Sequence, residues 1–166
     1  NIFKTVNMFY DMLPHQLKPI KKYNNKKLLE LTISPVGTRL NSSYTVMTAG
    51  SKDIGRGIDA DIIHFSEYSS YKYVQEIQVG LGQSKRQNAK ITIESTAKGY
   101  NEFYDEYKRA LNGESGYKAH FYAWFNDSRY RKEVPQGYKF DSEMRSLIAA
   151  YNLDEEQAYW YVCKKA

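Results

Sequence analysis

Apolar residues at the start of the chain recur at helical spacing. Ile2, Phe3, Val6, Phe9, Tyr10 and Leu13 share one face, and Pro14 ends that helix because proline disfavours a helical residue before it. Residues 26–33, Lys-Lys-Leu-Leu-Glu-Leu-Thr-Ile, predict a strand. A loop containing Gly and Pro follows, then a second strand over 44–48. Residues 49–60 carry three glycines among charged residues and predict a loop. Asp61 to Phe65 predicts a short buried strand. Val74, Ile77 and Leu81 line up on a helix over 73–83, and 90–96 is the next strand. Asn101 is a good N-cap for a helix through Leu111, which Asn112-Gly113 ends. A further strand is expected over 118–124, then a polar connector from Asn126. Ser142-Glu143 and Asp154-Glu155-Glu156 open two short helices. Strands alternating with helices predict an α/β fold: a mostly parallel sheet, right-handed crossovers, helices on both faces and a short helical tail. Residues 1–135 form the main domain in this reading, and 136–166 the helical connector.

Composition changes the picture in three places. The chain has 166 residues, with 42% hydrophobic and 26% charged, ordinary for a globular domain. Sixteen tyrosines suit half-buried sheet faces and interfaces. The net charge of +5 is concentrated: residues 1–27 hold six lysines against Asp11, and the remaining 18 basic and 18 acidic side chains cancel. Lys21, Lys22, Lys26 and Lys27 therefore form a candidate nucleic-acid contact, through salt-dependent attraction to phosphate; a solvated lysine-rich loop is the plainer alternative. The lone Cys163 excludes an intramolecular disulfide and any multi-cysteine metal site, and suits a reducing cytosol. No apolar run approaches the roughly 18 residues of a membrane span, so no membrane partner is expected. The start, Asn1-Ile2-Phe3-Lys4, resembles no secretory signal and has no initiator Met, as expected of a fragment of a longer chain. His15, His64 and His120 are scattered without paired metal spacing.

Three short motifs carry candidate chemistry. Asp61-Ile62-Ile63-His64-Phe65-Ser66-Glu67 is a hydrophobic strand ending in a small polar residue and an acid. The carboxyl end of such a strand opens toward the ligand crevice of an α/β sheet. An oxygen there can hold Mg2+ or its water shell, and the next carboxylate can orient or deprotonate an attacking water. Many buried strands end in an acid, so this pattern alone is common. Glu94-Ser95-Thr96-Ala97-Lys98-Gly99 lies one strand later and can bring a hydroxyl near a terminal phosphate; an ordinary strand-to-helix turn looks the same. Gly55-Arg56-Gly57 leaves a guanidinium exposed on a pliable backbone, which suits phosphate but also describes a plain surface arginine.

The order of these motifs resembles the ATPase domain of the large terminase subunit, the DNA-packaging motor of tailed bacteriophages. The matching residues run from Thr48-Ala49-Gly50 through Gly55-Arg56-Gly57, Ile62 to Tyr68 and Glu94 to Gly99. They continue through Glu102-Phe103-Tyr104 to Tyr122-Ala123-Trp124-Phe125. The resemblance covers most of 1–135, and the tail at 140–165 is similar to the segment that leads to the family's nuclease domain. It implies an ASCE-type P-loop NTPase core, truncated at its N-terminus, with ATP and Mg2+ as cofactors. Glu67 is then the catalytic carboxylate. Ser66 stands where the family has Asp or Ser, so Ser66 and Glu67 would hold Mg2+ through water. Ser95 and Thr96 fall on the coupling motif that senses the γ-phosphate. Arg56 matches a position that serves some relatives as an arginine finger reaching into the next subunit.

The implied partners are double-stranded DNA, the portal protein, the small terminase subunit and further copies in a ring on the portal, all in the host cytoplasm. The implied activity is ATP hydrolysis driving viral DNA into the procapsid, with a nuclease in the parent chain. One departure stands out. No Gly-x-x-x-x-Gly-Lys-Ser/Thr phosphate loop is present, so it is expected upstream, and the fragment alone is expected to be inactive. Two other readings stay open: a helicase-like nucleic-acid ATPase, and a non-catalytic DNA-binding α/β module. Tyr68, Tyr71 and Tyr73 could face DNA or a neighbouring subunit, or pack. Trp124 and Phe125 are expected to cover the sheet end.

Overall fold

A computed structural model describes residues 2–33, 41–50, 54 and 59–165. The chain forms two compact units, residues 1–108 and 109–166. The expected boundary at 135/136 falls inside the second unit.

The first unit opens with helix α1, Ile2–Met12. Phe3 is buried and its ring lies 6.4 Å from that of Tyr44. Pro14 is extended and ends the helix, as its fixed ring geometry requires. Strands β1 (Ile20–Asn24), β2 (Leu28–Thr32) and β3 (Asn41–Thr45) follow as an antiparallel sheet in the order β1-β2-β3. β2 is central, which explains why Leu29 and Thr32 are buried there. The sequence did not announce β1: Ile-Lys-Lys-Tyr-Asn has no apolar alternation, and four of its five residues are exposed, as suits an edge strand carrying lysine. Asn25 closes the β1–β2 turn, its Oδ1 accepting from the Lys27 and Leu28 amides at 2.7 and 2.8 Å. β3 ends at Thr45, before the expected Thr48. One further bond, from the Val46 amide to the Lys27 carbonyl at 2.9 Å, completes that edge.

The other described strands of this unit form a parallel pair. β4 (Ala60–Phe65) and β5 (Lys85–Ile93) are joined by α2, Val74–Ser84, the kind of crossover that parallel strands need. Their register pairs Ile63 with Ile91, His64 with Thr92 and Phe65 with Ile93. β5 begins at Lys85, five residues ahead of the expected Lys90. Phe65, Tyr68, Val74 and Ile77 make the core, with Ile63, Tyr71, Tyr73, Ile91, Ile93 and Phe103 packed around it. β4 is not the buried strand expected. Its side chains alternate, so Ile63 and Phe65 face the core while Ile62 is 74% exposed. The fold is therefore mixed α/β, but parallel pairing among the described residues is confined to β4 and β5 rather than spread through one large sheet. Helix α3, Glu102–Leu111, starts as expected: Asn101 Oδ1 accepts from the Tyr104 amide at 3.1 Å.

In the second unit, the strand expected over 118–124 is absent. The stretch has no ladder partner among the described residues and runs as irregular chain into a 3-10 turn, Trp124–Asn126. Helices α4 (Ser142–Tyr151) and α5 (Glu155–Lys165) start where Ser142-Glu143 and Asp154-Glu155-Glu156 predict. Asp141 accepts from the Met144 amide at 2.7 Å. Asp154 and Gln157 bond each other's amides reciprocally at 2.9 and 3.1 Å, a capping box. Trp124 and Phe125 pack into this unit's core with Met144, Leu153 and Ala158. Trp124 stacks on Tyr161 with centroids 5.7 Å apart. Among the described residues no helix is long and apolar enough to cross a membrane.

Candidate functional site

The carboxyl ends of β4 and β5 meet at one rim. The ladder continues past both strands, with the Glu94 amide donating to the Phe65 carbonyl at 2.9 Å and the Tyr68 amide to the Glu94 carbonyl at 3.2 Å. Between these bonds the chain must leave β4 abruptly. It does so at Glu67, whose backbone is left-handed at φ 57° and ψ 42°, a conformation that costs a residue with a Cβ roughly 1–2 kcal/mol. A 3-10 turn, Tyr68–Ser70, follows at once and is closed by the Ser70 amide on the Glu67 carbonyl at 2.9 Å. Tyr68, 1% exposed, plugs the core beneath this turn, and its hydroxyl accepts from Gln78 Nε2 at 2.7 Å.

Glu67 thus stands exposed on the rim, and the β5 end comes to it. Thr96 Oγ1 donates to Glu67 Oε2 at 3.2 Å, joining residues 29 positions apart. Ser95 is half-buried and occupied elsewhere. Its Oγ accepts from the Ser69 amide at 3.0 Å and donates to Ser69 Oγ at 2.6 Å, while Ser69 Oγ donates to the Thr96 carbonyl at 3.1 Å. Lys98 Nζ donates to Ser70 Oγ at 2.6 Å. The turn after β4 and the loop after β5 are therefore stitched together by hydroxyls, with a carboxylate and an ammonium on the same rim.

Ser66 is half-buried at the end of β4, and its backbone hydrogen-bonds the Tyr71 phenol. Burial pushes the Tyr71 phenol above its usual range; the Ser66 backbone bond pulls the other way, and the nearby Glu94 charge adds to the rise. Tyr71 also packs 5.2 Å from Tyr68 and 6.1 Å from Phe65, ring to ring. Tyr68, Tyr71 and Tyr73 accordingly serve the core of this unit. His64 Nε2 lies 3.7 Å from Glu94 Oε1, both side chains about half exposed.

Of the residues singled out by sequence, Glu67, Ser66, Ser95 and Thr96 share this rim, whereas Arg56 lies outside the described residues. The lysines are elsewhere and differ among themselves. Lys21 pairs with Asp11 at 3.1 Å and sits 4.2 Å over the Tyr10 ring, and Lys22 pairs with Glu30 at 2.9 Å. Lys26 and Lys27 stand exposed at the β1–β2 turn. Sequence reasoning did not single out Ser69, Ser70 or Lys98. Two consecutive serines behind the acid, and a lysine two residues past the Ser-Thr pair, were the available signals. Among the described residues no group of three or more His, Cys, Asp or Glu side chains is placed to hold a metal ion. No family model and no curated protein matches the chain.

Proposed function

We propose that this chain is part of the large terminase subunit, and that its first unit carries the hydrolytic and coupling elements of a DNA-packaging ATPase. The observation that supports this reading is the Thr96–Glu67 hydrogen bond of 3.2 Å at the carboxyl ends of two parallel strands. Parallel α/β sheets bind ligands at that end. A carboxylate with a hydroxyl from the adjacent strand upon it suits control of a water molecule.

The donor set fits Mg2+ with ATP. It offers the exposed Glu67 carboxylate with hydroxyls around it, all hard oxygen, and Mg2+ takes one or two carboxylates, keeps several waters and is otherwise held by substrate phosphates. When bound, the nucleotide and metal supply the phosphoanhydride bond and neutralise its developing charge. Glu67 orients the attacking water and accepts its proton. Ser66, beside it, would hold part of the water shell of a bound Mg2+. Thr96 reports on the state of the Glu67 carboxylate to the segment that leads into α3. Arg56 acts as the trans arginine finger of this reading. The partners that go with it are double-stranded DNA, the portal, the small terminase subunit and a ring of further copies, working in the host cytoplasm.

The test is ATP turnover by the full-length protein that bears these residues. Glu67→Ala should abolish hydrolysis and leave nucleotide binding within a few fold, because it removes the base rather than the phosphate grip. Undiminished turnover in that variant removes Glu67 from the mechanism. A helicase-like ATPase would show the same loss, so duplex unwinding and portal-dependent packaging are assayed beside it. The non-catalytic reading is less favoured, since Lys21 and Lys22 are already engaged by carboxylates.

A further inference from the structure

The rim also carries a cation, Lys98. Among the described residues Lys98 Nζ donates one hydrogen bond, to Ser70 Oγ at 2.6 Å, and forms no ion pair. An ammonium has three donors, so two remain for a ligand. Its stem leaves the loop two residues after Thr96, and its anchor Ser70 closes the turn that begins at Glu67. Carboxylate and ammonium are thus fixed to the two ends of one 3-10 turn without pairing with each other. The loop behind Lys98 is itself held: Asn101 Nδ2 donates to the Lys98 carbonyl at 3.3 Å, and Gly99 takes the left-handed backbone, φ +75°, that lets the chain double back into α3.

We propose that Lys98, aimed by Ser70, is a phosphate-binding residue of the rim, and that its ligand is the terminal phosphate of a nucleoside triphosphate. This rests on the ATPase reading above. A carboxylate that activates water next to a polyphosphate faces like-charge repulsion, and a fixed cation on the same rim offsets it as charge develops on the transferred phosphoryl group. A lysine supplies that charge as a compact point without needing a fork geometry. The Ser70 bond makes the lysine ordered before the ligand arrives, so less side-chain freedom is lost on binding.

The experiment compares the non-hydrolysable β,γ-imido analogue of ATP with ADP on the full-length protein, by calorimetric titration in Mg2+. Lys98→Ala should weaken the triphosphate analogue by about tenfold or more and leave ADP within about twofold, since a charge-assisted bond to one phosphate is lost. Lys98→Arg should retain most of the preference, and Ser70→Ala should lose part of it by releasing the lysine. Lys98 is exposed, and thermal melting of each variant checks that the fold is kept. Equal weakening of both nucleotides, or no change in either, overturns the proposal. Loss of DNA affinity with nucleotide preference intact also overturns it, because the phosphate served would then be that of the DNA backbone. Failure of the wild-type protein to bind either nucleotide sinks the ATPase reading and this inference together. Lost turnover in Glu67→Ala, combined with an unchanged preference in Lys98→Ala, sinks this inference alone.

Discussion

Ser95→Ala tests how the rim is stitched, and the hydrogen bonds fix how large the effect should be. Ser95 makes two bonds to Ser69, one from the amide at 3.0 Å and one to Oγ at 2.6 Å. Ser69 Oγ makes a further bond to the Thr96 carbonyl at 3.1 Å. Each is worth about 1 kcal/mol net. Ser95→Ala loses the first two and Ser69→Ala the last two, so each should cost about 2 kcal/mol. The double variant loses three bonds and should cost about 3 kcal/mol rather than 4, a coupling of about 1 kcal/mol that belongs to the shared Oγ–Oγ contact. In a unit of 108 residues, 1 kcal/mol corresponds to about 4 °C, so each single variant should melt about 8 °C lower. Urea unfolding of all four proteins, read at the tyrosines of the first unit, measures the cycle. Strictly additive single effects would show that the two serines act separately, and the stitched rim would have to be abandoned.

Two further outcomes follow from the surroundings of the rim. Above its ordinary range the folded Tyr71 phenol stays neutral while the unfolded one ionises from about pH 10. The unfolded state then binds fewer protons, so Tyr71 contributes full stability below pH 10 and loses it as pH rises toward the folded value. Tyr71→Phe should therefore lose less stability than wild type between about pH 9 and 11, and parallel urea-unfolding curves against pH would refute this. For the lysines, Lys26→Ala with Lys27→Ala should lower the slope of log affinity for DNA against log salt by about 2, whereas Lys21→Ala with Lys22→Ala should lower it less, because those ammonium groups already face Asp11 and Glu30. An unchanged slope in the Lys26/Lys27 variant excludes the hairpin tip as a DNA contact.

Local signals were legible in the sequence wherever one residue type forces one geometry. Pro14 stops α1, Asn101 caps α3, and Ser142-Glu143 and Asp154-Glu155-Glu156 mark the starts of α4 and α5. The apolar strand ending in Ser66-Glu67 and the Ser95-Thr96 pair were readable as strand ends, and from there their meeting at one rim required only that β4 and β5 be adjacent. Strand identity was less legible. β1 is lysine-rich because it is an edge, so its sequence looks like a loop. Residues 118–124 show the converse, with strand-like composition but no ladder partner among the described residues. Pairing is a property of two segments, and periodicity within one of them does not carry it.

The local bonds also divide the Ser-Thr pair more sharply than its sequence could. Ser95 and Thr96 follow β5 as adjacent loop residues, and their hydroxyls take different partners. Ser95 turns inward, and its Oγ is occupied by the Ser69 amide and hydroxyl. Thr96 turns outward to the Glu67 carboxylate. A signal that began with a change at Glu67 would therefore reach Thr96 first. It would pass to the chain behind it through the backbone, because the Thr96 carbonyl is itself held by Ser69. The left-handed Glu67 backbone and the Ser69–Ser95 contact are the two ends of the same short turn, so a displaced carboxylate pulls against a fixed anchor only a few residues away. Under the ATPase reading, Thr96 is then the moving part of the coupling motif and Ser95 its hinge pin. Substituting Thr96 should impair the response to nucleotide with little loss of stability, and substituting Ser95 should do the reverse.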